Sequence, residues 1–229
     1  MDEIQLDYVR FPTVGDVDEG VVVQVESGPS RSDVITDFVE QASAVCRALG
    51  VHLSADIFGV AAWAHAEDSQ RTGQDVQRLL PHLDVVCPML YPSHFSAGFG
   101  KIDDPSQRPF DLVYRGCVRL RDAAAFHEVR LRPWIQAFPW RVAGYSALYV
   151  AEQLRAAREG GASGWLLWNP ANRYDEAMEA MQYFPGAPPQ MGPQDGGLEA
   201  EVDAPTDGRD GAAEPLGSLY PVRSISPRL

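Results

Sequence analysis

Residues 33–58 read DVITDFVEQASAVCRALGVHLSADIF, and this stretch decides the fold class. Its first part sets Val34, Ile35, Phe38, Val39, Ala42, Val45, Cys46 and Leu49 at helical spacing. That spacing predicts a helix over 33–49 with one apolar stripe and Ser32 as its N-cap. Gly50 ends it, because glycine takes the left-handed conformation that closes helices. The second part, 51–58, is a short run rich in apolar side chains that carries Asp56 near its end. A helix, a one-residue turn and a strand form the repeating unit of an α/β fold with a parallel sheet.

The same alternation runs outward in both directions. Further strands are predicted over 2–9, 85–90, 129–136 and 164–168, and further helices over 72–80, 109–125, 146–159 and 174–183. Connections from strand to helix are long, as in 10–31 and 91–108, whereas helix-to-strand connections are short, as at Gly50 and 160–163. Long loops that all follow strand C-termini build one functional face. Five βα units are fewer than the eight of a closed barrel, and the chain opens directly on a strand. The expectation is therefore an α/β chain forming the C-terminal five βα units of a (β/α)8 TIM barrel, lacking three units upstream. The competing arrangement is a five-stranded doubly wound sheet; the glycine-rich phosphate loop expected after its first strand is absent. The barrel portion is expected over 1–185. The segment 186–229, dominated by Gly, Pro, Asp, Glu and Ala, is expected to be a disordered acidic tail.

Charge narrows the function. Acidic residues outnumber basic ones 32 to 19, a net charge of -13. Nucleic acid and anionic membrane surfaces need a basic footprint, so neither is expected as a partner, and a neutral substrate fits better. The three cysteines (Cys46, Cys87, Cys117) include no C-x-x-C pair, so neither a disulfide framework nor a zinc site is expected, but buried thiols. No apolar run approaches the length of a membrane span, and no signal peptide is visible. No metal or organic cofactor is expected.

Chemistry-bearing residues gather at the strand ends. Asp7, in QLDYVRFP (5–12), ends the first strand, with Gln5 before it and Arg10 after it. The alternative for Asp7 is a structural ion pair with Arg10. Asp56 ends the second strand. Acids at adjacent parallel strand ends can face one substrate, and a carboxylate pair is the minimum kit for glycoside hydrolysis. MLYPSH (89–94) offers Tyr91 and His94 for sugar hydroxyls; no G-x-S-x-G elbow accompanies Ser93. RPWIQAF (132–138) and GWLLWNP (164–170) end strands with Trp134, Gln136, Trp168 and Asn169, aromatic faces for sugar rings beside amides for hydroxyls.

Five segments together, DEIQLDYVRFP (2–12), SADIFG (54–59), PMLYPSH (88–94), RPWIQAF (132–138) and GWLLWNP (164–170), resemble a family of glycosyl-hydrolase-like barrel domains of unknown function. The resemblance implies a TIM barrel in which strand 2–9 is about the fourth of eight and Trp168 ends the eighth. It also implies that Asp7 stands where related glycosidases place a catalytic acid. Two departures accompany it: three upstream strands are lacking, and Ala137 stands where relatives carry an Asp. Relatives look exported or envelope-associated, which the resemblance implies for the intact protein. The expectation is a hydrolase acting on a polysaccharide. Asp7 would be nucleophile or transition-state stabiliser and Asp56 general acid/base; Gln5, Arg10, Tyr91, His94, Trp134, Gln136, Trp168 and Asn169 would bind the carbohydrate substrate. The alternatives are a noncatalytic carbohydrate-binding domain and an inactive barrel fragment.

Overall fold

A computed structural model describes residues 1–12 and 28–183 of the chain; the expected acidic tail lies outside the described residues. Strands β1 (Glu3–Leu6), β2 (His52–Phe58), β3 (Val85–Met89), β4 (Arg130–Leu131), β5 (Trp134–Gln136) and β6 (Leu166–Trp168) alternate with helices. These are α1 (Arg31–Leu49), α2 (Ala66–Thr72), α3 (Val76–Leu79), α4 (Pro109–Ala123), α5 (Ala147–Glu159) and α6 (Asp175–Met181). Every strand pairing is parallel. The sheet runs β1-β2-β3-β5-β6 in chain order, with β4 also on β3. Sequential order without a switch point is that of a barrel, not of a doubly wound sheet.

Several boundaries differ from the sequence reading, and three of them have a clear local reason. The α1 N-cap is Ser30, not Ser32: Ser30 Oγ accepts the Asp33 N–H while the Asp33 carboxylate accepts the Ser30 N–H, a reciprocal capping box. The helix expected over 72–80 is confined to α3, Val76–Leu79, and a separate helix, α2, ends at Thr72, because Gly73 adopts φ +81. A Cβ at Gly73 would meet Ile35 Cγ1 at 2.7 Å and the Arg31 carbonyl at 2.8 Å, so only glycine lets α2 close against α1. The strand expected over 129–136 is two pieces, β4 and β5, in one line. Pro133 between them has no N–H to donate, although its carbonyl still accepts the Leu166 N–H at 2.9 Å.

The sheet has two chemically distinct faces. Leu53, Ala55, Ile57, Val86, Leu131 and Ile135 point outward into one core shared with Val39 and Cys46 of α1, Leu112, Val113 and Cys117 of α4, and Val150 and Leu154 of α5. Alternate positions carry Glu3, Gln5, Ser54, Asp56, Cys87, Arg132 and Trp134 on the other face, and these side chains meet one another. Glu3 and Arg132 form a salt bridge from β1 to the fourth strand position. On a flat sheet those positions would be about 14 Å apart, three spacings of about 4.8 Å. The contact requires the sheet to curl, and the polar face is the inside of a half-barrel. The three cysteines are buried free thiols.

The helical layer packs closely. Gly160, after α5, has a right-handed φ of -74, yet a Cβ there would meet Cys117 Cβ at 2.5 Å and the Ala156 carbonyl oxygen at 3.0 Å. Backbone entropy alone favours Gly160→Ala; the clash opposes it. Gly160→Ala is expected to lower the thermal midpoint, by about 1–3 kcal/mol of stability. A raised midpoint would show that α5 does not pack on α4 as described.

Candidate active site

Asp56 stands near the C-terminal end of β2, on the inner face. Its Oδ1 accepts two N–H bonds, from Gln5 Nε2 at 2.5 Å and from Trp134 Nε1 at 2.8 Å. The residue is only 4% exposed. Burial pushes its pKa up to about 6, opposed by the Trp134 and Gln5 bonds and reinforced by the charge of Asp7.

Asp7 follows β1 directly and is exposed, with Oδ1 accepting the Tyr8 N–H at 2.8 Å. Asp7 and Asp56 line one small cleft with Tyr8, Arg10, Phe58, Gln74 and Met89. The Arg10 guanidinium lies over the Phe58 ring at 4.6 Å and the Tyr8 ring at 5.1 Å, and donates to the Phe11 carbonyl. The two adjacent strand ends that carry the acids therefore bring them to one cleft, with Arg10 on its wall and Gln5 and Trp134 bonded to Asp56.

The remaining expected residues stand at the other strand ends and do not line this cleft. Trp168 packs edge-on against Trp134, ring centroids 6.1 Å apart. Tyr91, His94 and Phe138 form a mutually packed aromatic cluster that Trp140 joins through His94. Gln136 is fully buried, and its amide is engaged by backbone: Oε1 accepts the Ser93 N–H at 3.0 Å and Nε2 donates to the Phe138 carbonyl at 2.9 Å. Asn169 is similarly committed, donating to the Ala137 carbonyl and accepting the Ala171 N–H. Both amides tie together the loops that follow β3, β5 and β6. Ala137 is fully buried within the apolar core.

Two buried glutamines escaped the sequence reading. Gln74 accepts the Phe58 N–H at 2.9 Å and donates to the carbonyls of Asp56 and Val9, joining the end of β2 to the loop after β1. Gln153 of α5 exchanges hydrogen bonds with the Gln136 backbone. A polar residue beside or within a helix was the only available signal, and it does not distinguish a buried clamp from a solvated side chain. The inner face also holds the Glu3–Arg132 bridge, with Ser54 Oγ donating to Glu3 at 2.6 Å.

A larger cavity, about 590 Å³, opens elsewhere, where α4 and α5 begin. It is lined by Arg108, Asp111, Glu152 and Arg155, which are paired with one another or with nearby acids. None of the expected site residues reaches it. Chemistry rather than volume places the candidate site at Asp56. Among the described residues no cluster of His, Cys, Asp and Glu could hold a metal ion, and no helix is long and apolar enough to cross a membrane.

A family model described as "Putative glycosyl hydrolase domain" matches residues 1–174. The chain belongs to this family. No curated protein matches it. Among solved structures, it is similar to the PgaB (BpsB) glycoside hydrolase domain from Bordetella bronchiseptica, at 15% identity and a TM-score of 0.46, covering 66% of this chain and 41% of that one. It is also similar to a putative alpha-L-fucosidase from Bacteroides thetaiotaomicron, at 12% identity and a TM-score of 0.40, covering 65% of this chain and 51% of that one. The chain thus spans about half, or less, of the length of these structures.

Gln74 gives this site its clearest structural test. Gln74→Leu leaves the Phe58 N–H and two buried carbonyls without their partner, and each such group costs about 1–3 kcal/mol. A loss of at least about 2 kcal/mol is expected in urea denaturation. A variant as stable as the parent would contradict this buried hydrogen-bond clamp.

Proposed function

We propose that the chain carries the catalytic half of a glycoside hydrolase acting on a neutral polysaccharide, with Asp56 as general acid/base and Asp7 as nucleophile or transition-state stabiliser. The observation that carries the proposal is Asp56 itself: a carboxyl group with its pKa raised to about 6, in a cleft shared with a second, exposed carboxylate. An acid catalyst must keep its proton near neutral pH while its partner stays ionised, and different surroundings achieve that separation. Two N–H donors on Oδ1 leave Oδ2 as the oxygen that holds the proton, since a proton on Oδ1 would oppose both donors. In this reading Oδ2 protonates the glycosidic oxygen as the bond breaks. The Asp7 carboxylate meets the positive charge developing at the anomeric carbon. Arg10, Tyr91, His94 and Trp168 are assigned to the substrate; Gln5 and Trp134 position Asp56; Gln136 and Asn169 position the loops.

One observation favours a second reading, carbohydrate binding without hydrolysis. Ala137, where the resemblance implies an Asp in relatives, is fully buried in apolar core and offers no carboxylate.

The experiment is hydrolysis of a neutral polysaccharide panel by the protein and its Asp56→Asn and Asp7→Asn variants. Each substitution is expected to lower the rate by roughly 10²–10⁴-fold, the usual contribution of such groups. The wild-type rate should fall about tenfold per pH unit above about 6, as Asp56 loses its proton. Hydrolysis that survives both substitutions would rule the mechanism out. Binding with no hydrolysis by the wild type would establish the second reading instead.

Stability offers an independent check. The folded state binds the Asp56 proton more tightly than the unfolded chain, in which the pKa is near 3.8. That contribution is fully present below about pH 4 and is lost as pH rises through about 6, a difference of about 3 kcal/mol. Asp56→Asn keeps an acceptor for Gln5 and Trp134 without the charge. It is expected to be more stable than the wild type at pH 7, with the difference closing below pH 4. Equal pH dependence in the two proteins would contradict the raised pKa.

A further inference from the structure

Tyr8 stands out on the wall of the Asp7–Asp56 cleft. Its φ is +55, in the left-handed region that disfavours residues bearing a Cβ, and glycine would satisfy the same turn without strain. The other non-glycine residues of positive φ among those described, Ala64, Lys101, Arg141 and Asn172, do not line this cleft. The turn has a local cause. Asp7 Oδ1 accepts the Tyr8 N–H at 2.8 Å, and the Tyr8 carbonyl accepts the Arg10 N–H at 2.7 Å. The chain thereby buries Val9 in the core, where Gln74 holds its carbonyl, and turns Tyr8 outward, 58% exposed. The ring is nevertheless placed. The Arg10 guanidinium lies between it and Phe58, 5.1 and 4.6 Å from the two ring centres. Backbone strain of this kind collects at ligand-binding positions, and here it presents a large, mostly exposed aromatic beside two carboxylates.

We propose that Tyr8 is a substrate-contacting residue, whose ring takes the apolar C–H face of the sugar beside the bond held between Asp7 and Asp56. This rests on the reading of the cleft as a carbohydrate site. Pyranosides with equatorial hydroxyls, as in β-linked glucose or N-acetylglucosamine chains, present such a face. Tyr8 is thus a residue of affinity and specificity, kept at a left-handed backbone position that glycine would take without strain.

The test uses the full chain in an Asp56→Asn background, so that bound glycan is not cleaved, with Tyr8→Gly, Tyr8→Ala and Tyr8→Phe added. Calorimetric titration is run with hexasaccharides of β-linked glucose, N-acetylglucosamine and galactose, and each variant's thermal midpoint is recorded. Tyr8→Gly is expected to melt higher than its parent while losing roughly three- to tenfold in affinity for the glycan the parent binds best. Tyr8→Ala should lose the same affinity without the gain in melting temperature, because alanine keeps the strain. Tyr8→Phe should bind within about threefold of the parent. Unchanged affinity in Tyr8→Gly and Tyr8→Ala would overturn the inference alone, as would a lower melting temperature in Tyr8→Gly with affinity intact. A parent that binds none of the three glycans would overturn it together with the reading it rests on.

Discussion

A carboxyl group withdrawn from water on the inside of a curled sheet is the constraint around which the other features arrange themselves. Burying Asp56 is unfavourable unless its oxygens find donors, and the donors must come from side chains on other strands. Gln5 supplies one from the adjacent strand β1 and Trp134 another from β5, two strands away, where the curl of the sheet turns it toward Asp56. The Glu3–Arg132 bridge, one layer deeper, joins the same strands. The half-barrel and the raised proton affinity of Asp56 are thus one fact seen at two scales. The outer face adds the apolar energy, and the inner face sets the curvature and the chemistry.

That division explains which parts of the molecule were legible in the amino-acid sequence. The outer face was: the stripe of α1 and the alternation of short apolar runs with helices lead to a parallel α/β sheet in sequential order, because burial of apolar surface dominates those choices. Asp7 and Asp56 were legible as rim acids because each ends a strand. The partition of roles among the other polar residues was not. Gln136 and Asn169 read as sugar ligands from their place beside aromatics, but their amides are engaged by loop backbone. Trp134 reads as a stacking surface, yet its indole N–H is spent on Asp56. Such assignments depend on which carbonyl or N–H lies within about 3 Å, and no periodicity carries that distance. The broken helix at Gly73 and the split strand at Pro133 are failures of another kind. There a single residue's backbone chemistry overrides a pattern spread over its neighbours.

The buried glutamines link fold to site. Gln74 binds the backbone of Asp56 as well as that of Val9, and Gln136 spans the loops after β3 and β5 with Gln153 beneath it. Each bonds backbone at or just beyond a strand C-terminus, where the ladder ends and backbone groups need other partners. These clamps give the rim rigidity without metal or disulfide among the described residues. They hold Asp56 still while leaving the loop that carries Asp7 and Tyr8 at the surface.

The central claim is that Asp56 keeps its proton to near-neutral pH because the inner face desolvates it. The direct measurement is an NMR titration of the side-chain carboxyl carbon of Asp56 in protein labelled at aspartate, with Asp56→Asn assigning the resonance. The account predicts a midpoint at about pH 6. A midpoint near 4, that of an ordinary solvated aspartate, would contradict it.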